Sequence, residues 1–218
     1  MAVRVSFLGT GDAFNARARC HASYLISTPS TLLMLDCGPT ALLAMKRDGH
    51  AVEAVDAVVL SHLHGDHFAG LPFFFLTYIF DAPRTRPLPF ELRFVEASAG
   101  MKTTVGPVEL LPFAVPHQAT EISLGYRLAV EGKTILYSGD SGWTEALVTQ
   151  SRGTDLFICE CCFYETRVDF HLDYPRIAEN RQRFGCQRLV LTHVGREVLA
   201  HRDEIREQIS HDGLEIEL

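Results

Sequence analysis

The stretch His62-Leu63-His64-Gly65-Asp66-His67 places four side chains that can bind a metal ion within six residues. It follows the apolar, β-branched run from Val55 to Ser61, which is typical of a strand buried on both faces, and an apolar helical run comes after it. The stretch is therefore predicted to lie on the loop that leaves the tip of a strand. Imidazole and carboxylate are ligands that zinc favours, so metal binding explains the loop better than scattered polar residues do.

The spacing within this loop divides the four side chains into two pairs. In an extended backbone, His62 and His64 point the same way and are expected to hold one ion. Asp66 and His67 turn away from them and are expected to hold a second ion. Gly65 lies between the pairs, and its lack of a Cβ atom permits the backbone to bend there.

The hexapeptide resembles the HxHxDH signature of the metallo-β-lactamase superfamily. Three further residues, His117, Asp140 and His193, each follow a predicted strand in the order that this family uses. The resemblance covers nearly the whole chain and implies an α/β fold, the four-layer αββα sandwich, with two mixed sheets packed face to face and helices outside. We expect residues 1–218 to form one such domain.

The resemblance implies a set of metal ligands around two divalent ions, with zinc expected and manganese or iron as alternatives. Two such ions about 3.5–4 Å apart lower the pKa of a shared water and supply a bridging hydroxide near neutral pH, so hydrolysis is the expected reaction. Asp66 is expected to serve catalysis as well as metal binding. The implied ligands are His62, His64 and His117 for the first ion, Asp66, His67 and His193 for the second, and Asp140 as a bridge.

Two further residues bear on which bond is cut. Glu160 aligns with the Glu of the HEAT motif of ribonuclease Z, and His171 aligns less well with the His of its HST motif. In that family the two residues form a pair in which the imidazole assists phosphate hydrolysis. Since a carboxylate raises the pKa of a neighbouring imidazole, His171 is expected to be a cation that binds phosphate and protonates the leaving alkoxide. A surface position for His171, or a buried pairing of Glu160 without catalysis, is the alternative.

The chain departs from ribonuclease Z in ways that bear on the substrate. Asp173 stands where the HST motif has Thr, and the interval from Glu160 to His171 is compressed. No Gly- and Pro-rich basic arm lies between His67 and His117, and the net charge is −7, whereas surfaces that bind nucleic acids are basic. We therefore expect a phosphodiesterase related to ribonuclease Z that acts on a small-molecule or nucleotide phosphodiester, with RNA not favoured.

Four alternatives stay open. One is a transfer-RNA 3′-processing endoribonuclease, and another is a lactone or thioester hydrolase on the same metal site, which needs no imidazole at position 171. A third is a di-iron redox protein, although such members of the superfamily carry Glu where this chain has His64 and use flavin. The fourth is a protein that binds metal without catalysis.

The remaining patterns bear on location, assembly and surface charge. No signal peptide or apolar run of about 18 residues occurs, and the six cysteines show no disulfide spacing, so a cytoplasmic protein without membrane contact is expected. Residues 68–80 are apolar almost all round, which predicts a helix covered in part by a second copy in a homodimer. Arg17, Arg19, Arg84 and Arg86 are candidates for contacting an anionic substrate, or are solvated surface residues.

Periodicity and turn residues predict the other elements. Asp36, at a strand end, is expected either to orient a ligand histidine or to cap the following helix. The predicted strands are 3–8, 24–27, 31–36, 55–61, 91–96, 108–115, 124–130, 134–138, 156–159 and 188–192, and the predicted helices are 39–47, 68–80, 143–150, 173–184 and 202–210.

Overall fold

Twelve strands and six α-helices form the described part of the chain, residues 2–80, 93–119 and 122–218 of a computed structural model. The strands are Arg4–Gly9 (β1), Ser23–Ser27 (β2), Leu32–Leu35 (β3), Ala57–Val59 (β4), Thr103–Val105 (β5), Val108–Ala114 (β6), Leu124–Val130 (β7), Lys133–Tyr137 (β8), Leu156–Glu160 (β9), Arg188–Thr192 (β10), Gln208–Ile209 (β11) and Leu214–Glu217 (β12). The helices are Ala41–Arg47 (α1), Gly65–Phe68 (α2), Leu71–Phe80 (α3), Glu145–Ser151 (α4), Tyr174–Asn180 (α5) and Arg196–Ala200 (α6).

The strands pair into two mixed sheets. The first sheet has the order β12-β1-β2-β3-β4, in which only β3 and β4 run parallel. The second has the order β11-β10-β9-β8-β7-β6-β5, in which β8 to β11 are parallel and β5 to β8 are antiparallel. Both sheets are mixed, as the resemblance implied.

Alternation along the strands builds the layers, because successive side chains point to opposite faces of a sheet. Ile26 of β2 and Ile158 of β9 meet in the core between the two sheets. Their neighbours point outward: Leu25 packs with α1 and α3, whereas Phe157 packs with α4, α5 and α6. The order helix, sheet, sheet, helix confirms the predicted αββα sandwich.

Three predicted elements differ from the structure. The strand predicted at 55–61 is short and partly buried, because β4 lies at the edge of its sheet. Residues 93–96 form no strand, and 91–92 lie outside the described residues. The helix predicted at 202–210 is wrong, because this segment contains a 3₁₀ turn followed by β11, which pairs with β10. Tertiary pairing outweighs local propensity here.

The apolar helix predicted at 68–80 is confirmed over Leu71–Phe80 as α3, whereas Phe68 is the last residue of α2 and residues 69–70 are a turn. Phe74 is the buried residue of α3, whereas Phe73, Leu76 and Phe80 are each at least 50% exposed. A second copy that covers this helix stays a prediction. In the described part of the chain, no helix is long and apolar enough to cross a membrane.

Candidate metal centre

The loops after four strands carry the predicted metal ligands. The segment 62–67 follows β4, His117 follows β6, Asp140 follows β8 and His193 follows β10. Loops at the ends of strands are where layered folds build their sites. The structure brings all seven predicted ligands together in two groups of donor atoms.

The first group consists of three imidazoles. Donor atoms of His62, His64 and His117 lie within 4.8 Å of one another, and His64 Nδ1 is 2.9 Å from His117 Nε2. His62 Nε2 is buried and has no hydrogen-bond partner among the described residues. We call these three residues the nitrogen group.

The second group combines two imidazoles with two carboxylates, Asp66, His67, Asp140 and His193, again with donor atoms within 4.8 Å. His67 Nε2 lies 3.3 Å from Asp66 and 3.2 Å from Asp140, while His193 Nε2 lies 3.2 Å and 3.4 Å from the same two carboxylates. His67 Nε2 is also buried without a hydrogen-bond partner among the described residues. We call these residues the carboxylate group.

Asp140 lies between the two groups. Its Oδ2 is 4.0 Å from His62 Nε2 and 3.9 Å from His117 Nε2, whereas its Oδ1 is the oxygen that lies 3.2 Å from His67 Nε2. The turn needs Gly139, because its φ is +60° and a Cβ atom there would meet the carbonyl oxygen of Leu124 at 2.6 Å. Asp140 therefore occupies the position that the resemblance implied for a bridge.

Gly65, in contrast, does not supply the bend that the sequence predicted. It begins α2 at an ordinary φ, and a Cβ atom there would meet nothing within 4 Å. The turn between the two histidine pairs comes instead from the start of a helix after His64.

The two groups fit a divalent cation. Both contain a buried imidazole nitrogen that lacks a partner, and buried polar atoms are rarely left unpaired. The donors are nitrogen and carboxylate oxygen, which is the set that zinc, manganese and iron accept. Two carboxylates also concentrate negative charge where a cation would lie.

Asp36 holds the carboxylate group from behind. Its Oδ2 accepts hydrogen bonds from the Tyr137 hydroxyl at 2.6 Å and the Ser61 hydroxyl at 2.8 Å, and lies 2.8 Å from His67 Nδ1. The residue that precedes α1 is Thr40, so Asp36 does not cap that helix. Asp36 therefore orients a ligand histidine, which was one of the two predicted roles. Its backbone φ of 55° is a strained conformation that these contacts hold in place.

Other neighbours fix the remaining rings. Ser61 Oγ lies 2.9 Å from His62 Nδ1, and His117 Nδ1 donates to the Phe170 carbonyl oxygen at 2.8 Å. Because a carbonyl oxygen only accepts, His117 carries its proton on Nδ1 and presents the lone pair of Nε2 to the centre.

The two groups differ in protonation. Burial lowers the pKa of His62 to about 3 and also lowers the pKa of His117. Burial would lower the pKa of His67 and His193 as well, but Asp140 and neighbouring carboxylates outweigh it and raise both. Burial would likewise raise the pKa of Asp140, yet His193 and His67 hold it well below its usual range. In the absence of a cation, His67 and His193 therefore attract protons, whereas His62 and His117 do not.

The predicted pair of Glu160 and His171 is formed beside the carboxylate group. Glu160 is buried at the end of β9, where Oε1 is hydrogen-bonded to His171 Nδ1 and Oε2 accepts the Ser141 N–H at 2.5 Å. The His171 ring stacks on His193 with centroids 5.8 Å apart. The expected imidazolium is wrong, because burial lowers the pKa of His171 despite the nearby carboxylates. Burial and Asp140 raise the pKa of Glu160.

A cleft of about 520 Å³ opens onto the nitrogen group and His171. Its apolar wall includes Leu63, which is 62% exposed, and Phe170, which is 49% exposed. Gly142 holds this wall close, since a Cβ atom there would meet the carbonyl oxygen of Asp169 at 1.7 Å. His171 is therefore placed between the metal centre and solvent.

Comparison with known proteins was made on sequence and on structure. The sequence profile of the family described as "Beta-lactamase superfamily domain" matches residues 31–194, which is more than half of the chain. The chain belongs to the metallo-β-lactamase superfamily. This metallo-β-lactamase-fold hydrolase is related to ribonuclease Z.

Three relatives illustrate the match to this superfamily. The chain is 29% identical to "Uncharacterized protein Rv1339" of Mycobacterium tuberculosis, over 89% of this chain and 81% of that protein. It is 24% identical to ribonuclease Z of Lachnoclostridium phytofermentans, over 87% of this chain and 86% of that enzyme. The crystal structure of the metallo-β-lactamase fold protein YhfI of Bacillus subtilis covers 100% of this chain and 99% of its own, with a TM-score of 0.83 and 21% identity.

Sequence reasoning missed Ser61 and Tyr137, the residues that fix the ligands of this metallo-β-lactamase-fold centre. The position of Ser61 directly before His62 was an available signal. Arg17 and Arg19 line a separate cavity of about 600 Å³ rather than the cleft, and Arg19 donates to the Thr10 hydroxyl at 2.8 Å. Arg84 and Arg86, the other two candidates for contacting an anionic substrate, lie outside the described residues.

Proposed function

We propose that this protein is a dinuclear metal-dependent phosphodiesterase that acts on a small-molecule or nucleotide phosphodiester. The observation that carries the proposal is the Glu160–His171 pair, of which His171 lines the cleft beside the metal centre while Glu160 is buried behind it. Hydrolysis of a phosphodiester expels an alkoxide from phosphorus, and a positioned acid such as His171 assists that departure.

The metal ligands proposed here are the two groups of donor side chains, with zinc favoured and manganese or iron as alternatives. When bound, two divalent cations supply hydroxide from water at neutral pH and stabilise charge on the attacked phosphoryl oxygens. His62, His64 and His117 would hold one cation, Asp66, His67 and His193 would hold the other, and Asp140 would contact both.

The pair supplies the proton. Because His171 Nδ1 is hydrogen-bonded to Glu160, Nε2 is the ring nitrogen that remains for the substrate. Burial disfavours a charge on either residue, so the pair holds its proton between Oε1 and Nδ1. His171 Nε2–H then protonates the leaving oxygen, and the Glu160 proton moves to Nδ1.

Two further observations support a small substrate. The wall of the cleft is apolar at Leu63 and Phe170, and the chain carries a net charge of −7. A long polyanion is bound by clustered basic side chains, whereas one phosphodiester flanked by an apolar group suits this cleft. The relationship to ribonuclease Z supports phosphodiester chemistry.

The direct test is His171→Ala, measured with a dinucleoside phosphodiester, whose leaving group is an alkoxide that needs a proton. Turnover should fall by about 10²–10⁴, because the leaving oxygen loses its acid, while metal content stays the same. His211→Ala, which removes an exposed histidine, is the matched control and should leave turnover unchanged. Unchanged turnover in His171→Ala would remove the pair from the mechanism.

A substrate panel separates the alternatives. The purified protein should hydrolyse phosphodiesters faster than lactones, thioesters or precursor transfer RNA. Lactone or thioester hydrolysis that exceeds phosphodiester hydrolysis and survives His171→Ala would contradict the proposal, and efficient 3′ cleavage of the transfer-RNA precursor would favour the endoribonuclease.

A further inference from the structure

Besides the nitrogen group and the carboxylate group, a further set of donor atoms lies beside the metal centre and includes a thiol. Donor atoms of Glu160, Cys162, His171 and His193 lie within 4.8 Å of one another, and Glu160, Cys162 and His193 are buried. Of the four, His171 is partly exposed and lines the cleft, so an ion from solvent can reach the set through the cleft.

The end of β9 explains why one cysteine differs from its neighbours. Cys159 and Cys161 point to the outer face, join the core under the helices, and donate to the backbone oxygens of Glu160 and Phe163. Alternation turns Glu160 and Cys162 to the opposite face, toward the metal centre.

The backbone at Cys162 is fixed between the two loops that carry the histidines. Its N–H donates to the Leu172 carbonyl oxygen at 3.1 Å, next to His171, and its carbonyl oxygen accepts the Gly195 N–H at 3.2 Å, beyond His193. The thiol is therefore held in position by both loops.

An unpartnered atom points into the same set. His193 Nδ1 is buried without a hydrogen-bond partner among the described residues, and the nearest carboxylate oxygen, Glu160 Oε1, is 3.7 Å away. Its other nitrogen, Nε2, faces Asp66 and Asp140 in the carboxylate group. Because Nε2 serves the carboxylate group, Nδ1 carries the ring proton and lacks an acceptor, which a thiolate at Cys162 would supply.

We propose that Glu160, Cys162 and His171 form a third metal site, which binds a thiophilic divalent cation such as excess zinc or cadmium and thereby inhibits the enzyme. A carboxylate, a thiolate and an imidazole with one open position make a set that zinc accepts, and the thiol proton is released to solvent as the ion binds. Zinc bonds of about 2.0–2.3 Å need donors about 3.3–4 Å apart, so shifts of under about 1 Å close the site.

Inhibition follows from shared residues, and this part rests on the proposed function. An ion on Glu160 and His171 removes the hydrogen bond through which the pair holds its proton. With Nδ1 bound to the ion, the ring is drawn toward Cys162 and its Nε2–H is held away from the leaving oxygen, although the seven ligands of the main centre are unchanged.

Cadmium binding tests the site without any activity measurement. Protein loaded with metal at the main centre is titrated with cadmium, and the thiolate-to-cadmium absorption is recorded in the ultraviolet. Wild type should show the band, with saturation at one cadmium per chain beyond the main centre, whereas Cys162→Ser should lose it. Cys186→Ser, which changes the cysteine that is partly exposed, is the matched control and should keep the band.

Circular dichroism establishes that each variant is folded before titration. Absence of the band in wild type, or its persistence in Cys162→Ser, would overturn the proposal. If Cys162→Ser folds poorly, Cys162→Ala and Cys162→Thr show in its place whether the absorption band depends on the Cys162 thiol.

Zinc inhibition tests the consequence. Each variant is normalised to its own turnover at stoichiometric metal, and zinc is then raised. The zinc concentration for half inhibition should rise at least about 10-fold in Cys162→Ser and stay at the wild-type value in Cys186→Ser. A cadmium band without zinc inhibition would overturn the regulatory role. The band together with unchanged turnover in His171→Ala would retain the site and reject the proposed function.

Discussion

The nitrogen group and the carboxylate group are adjacent, yet they offer a cation different ligands and different protonation states. The nitrogen group offers three imidazoles, one of them on the exposed His64, and burial keeps His62 and His117 neutral. The carboxylate group is more deeply buried and adds Asp66 and Asp140 to its two imidazoles. His62 and His117 therefore bind a cation without first releasing protons, whereas His67 and His193 of the carboxylate group must release theirs.

Asp140 is the residue that the two groups share, so the largest effect is expected there. Asp140→Ala should lower hydrolysis of bis(p-nitrophenyl) phosphate by at least about 10³ and reduce the metal content of the purified protein, because both groups lose an oxygen donor. Elemental analysis and turnover are the measurements. Asp203→Ala, which removes a carboxylate that is 93% exposed, should change neither. Wild-type metal content in Asp140→Ala would contradict the claim that both groups use Asp140 as a ligand.

The fold and the seven donors could be predicted from the sequence because a local motif carries the family resemblance that implies them. His62 to His67 form that motif within six residues, and His117, Asp140 and His193 each follow a run that is apolar enough to be recognised as a strand. In the structure, central strands such as β2 and β9 bury one face against the other sheet and the opposite face against helices.

The rest depends on distant contacts that no local pattern carries. Tyr137 reaches Asp36 across 101 positions in the chain. The pKa of His171 falls because the folded chain buries it, and the neighbouring Glu160 alone predicted the opposite direction. Residues 208–209 are a strand only because β10 is there to pair with them.

Asp36 supports only the carboxylate group directly, so a change there should affect the two groups unequally. Asp36→Asn should weaken metal binding at the carboxylate group by about 10–100-fold, because His67 loses the charged acceptor that orients its ring. Competition with a chelator, monitored by elemental analysis, measures the effect. The nitrogen group should keep its affinity, and equal weakening of both groups would contradict the distinction. Asp203→Asn serves as the control.

Lowering the pH should weaken metal binding at the two groups to different extents. This difference should be smaller than the effect of Asp36→Asn and should grow gradually with acidity. The pKa values of His67 and His193 are raised, so both residues already bind protons at a pH above the ordinary pKa of histidine. A metal ion must displace those protons in order to bind. Affinity at the carboxylate group should therefore fall as pH falls from 8 to 6, by up to about 10-fold per pH unit for each proton displaced. The nitrogen group should lose less affinity in this range, because the pKa of His62 is about 3 and that of His117 is lowered, so neither of these two residues must release a proton. Calorimetric titration at several pH values measures both, and a steeper dependence at the nitrogen group would reverse the comparison.

Anomalous diffraction at the metal absorption edge, from crystals of the purified protein, tests the central claim most directly. The proposed centre predicts two peaks about 3.5–4 Å apart, one beside His62, His64 and His117 and the other beside Asp66, His67 and His193, with Asp140 between them. A single peak, or peaks away from these seven side chains, would contradict a dinuclear hydrolase.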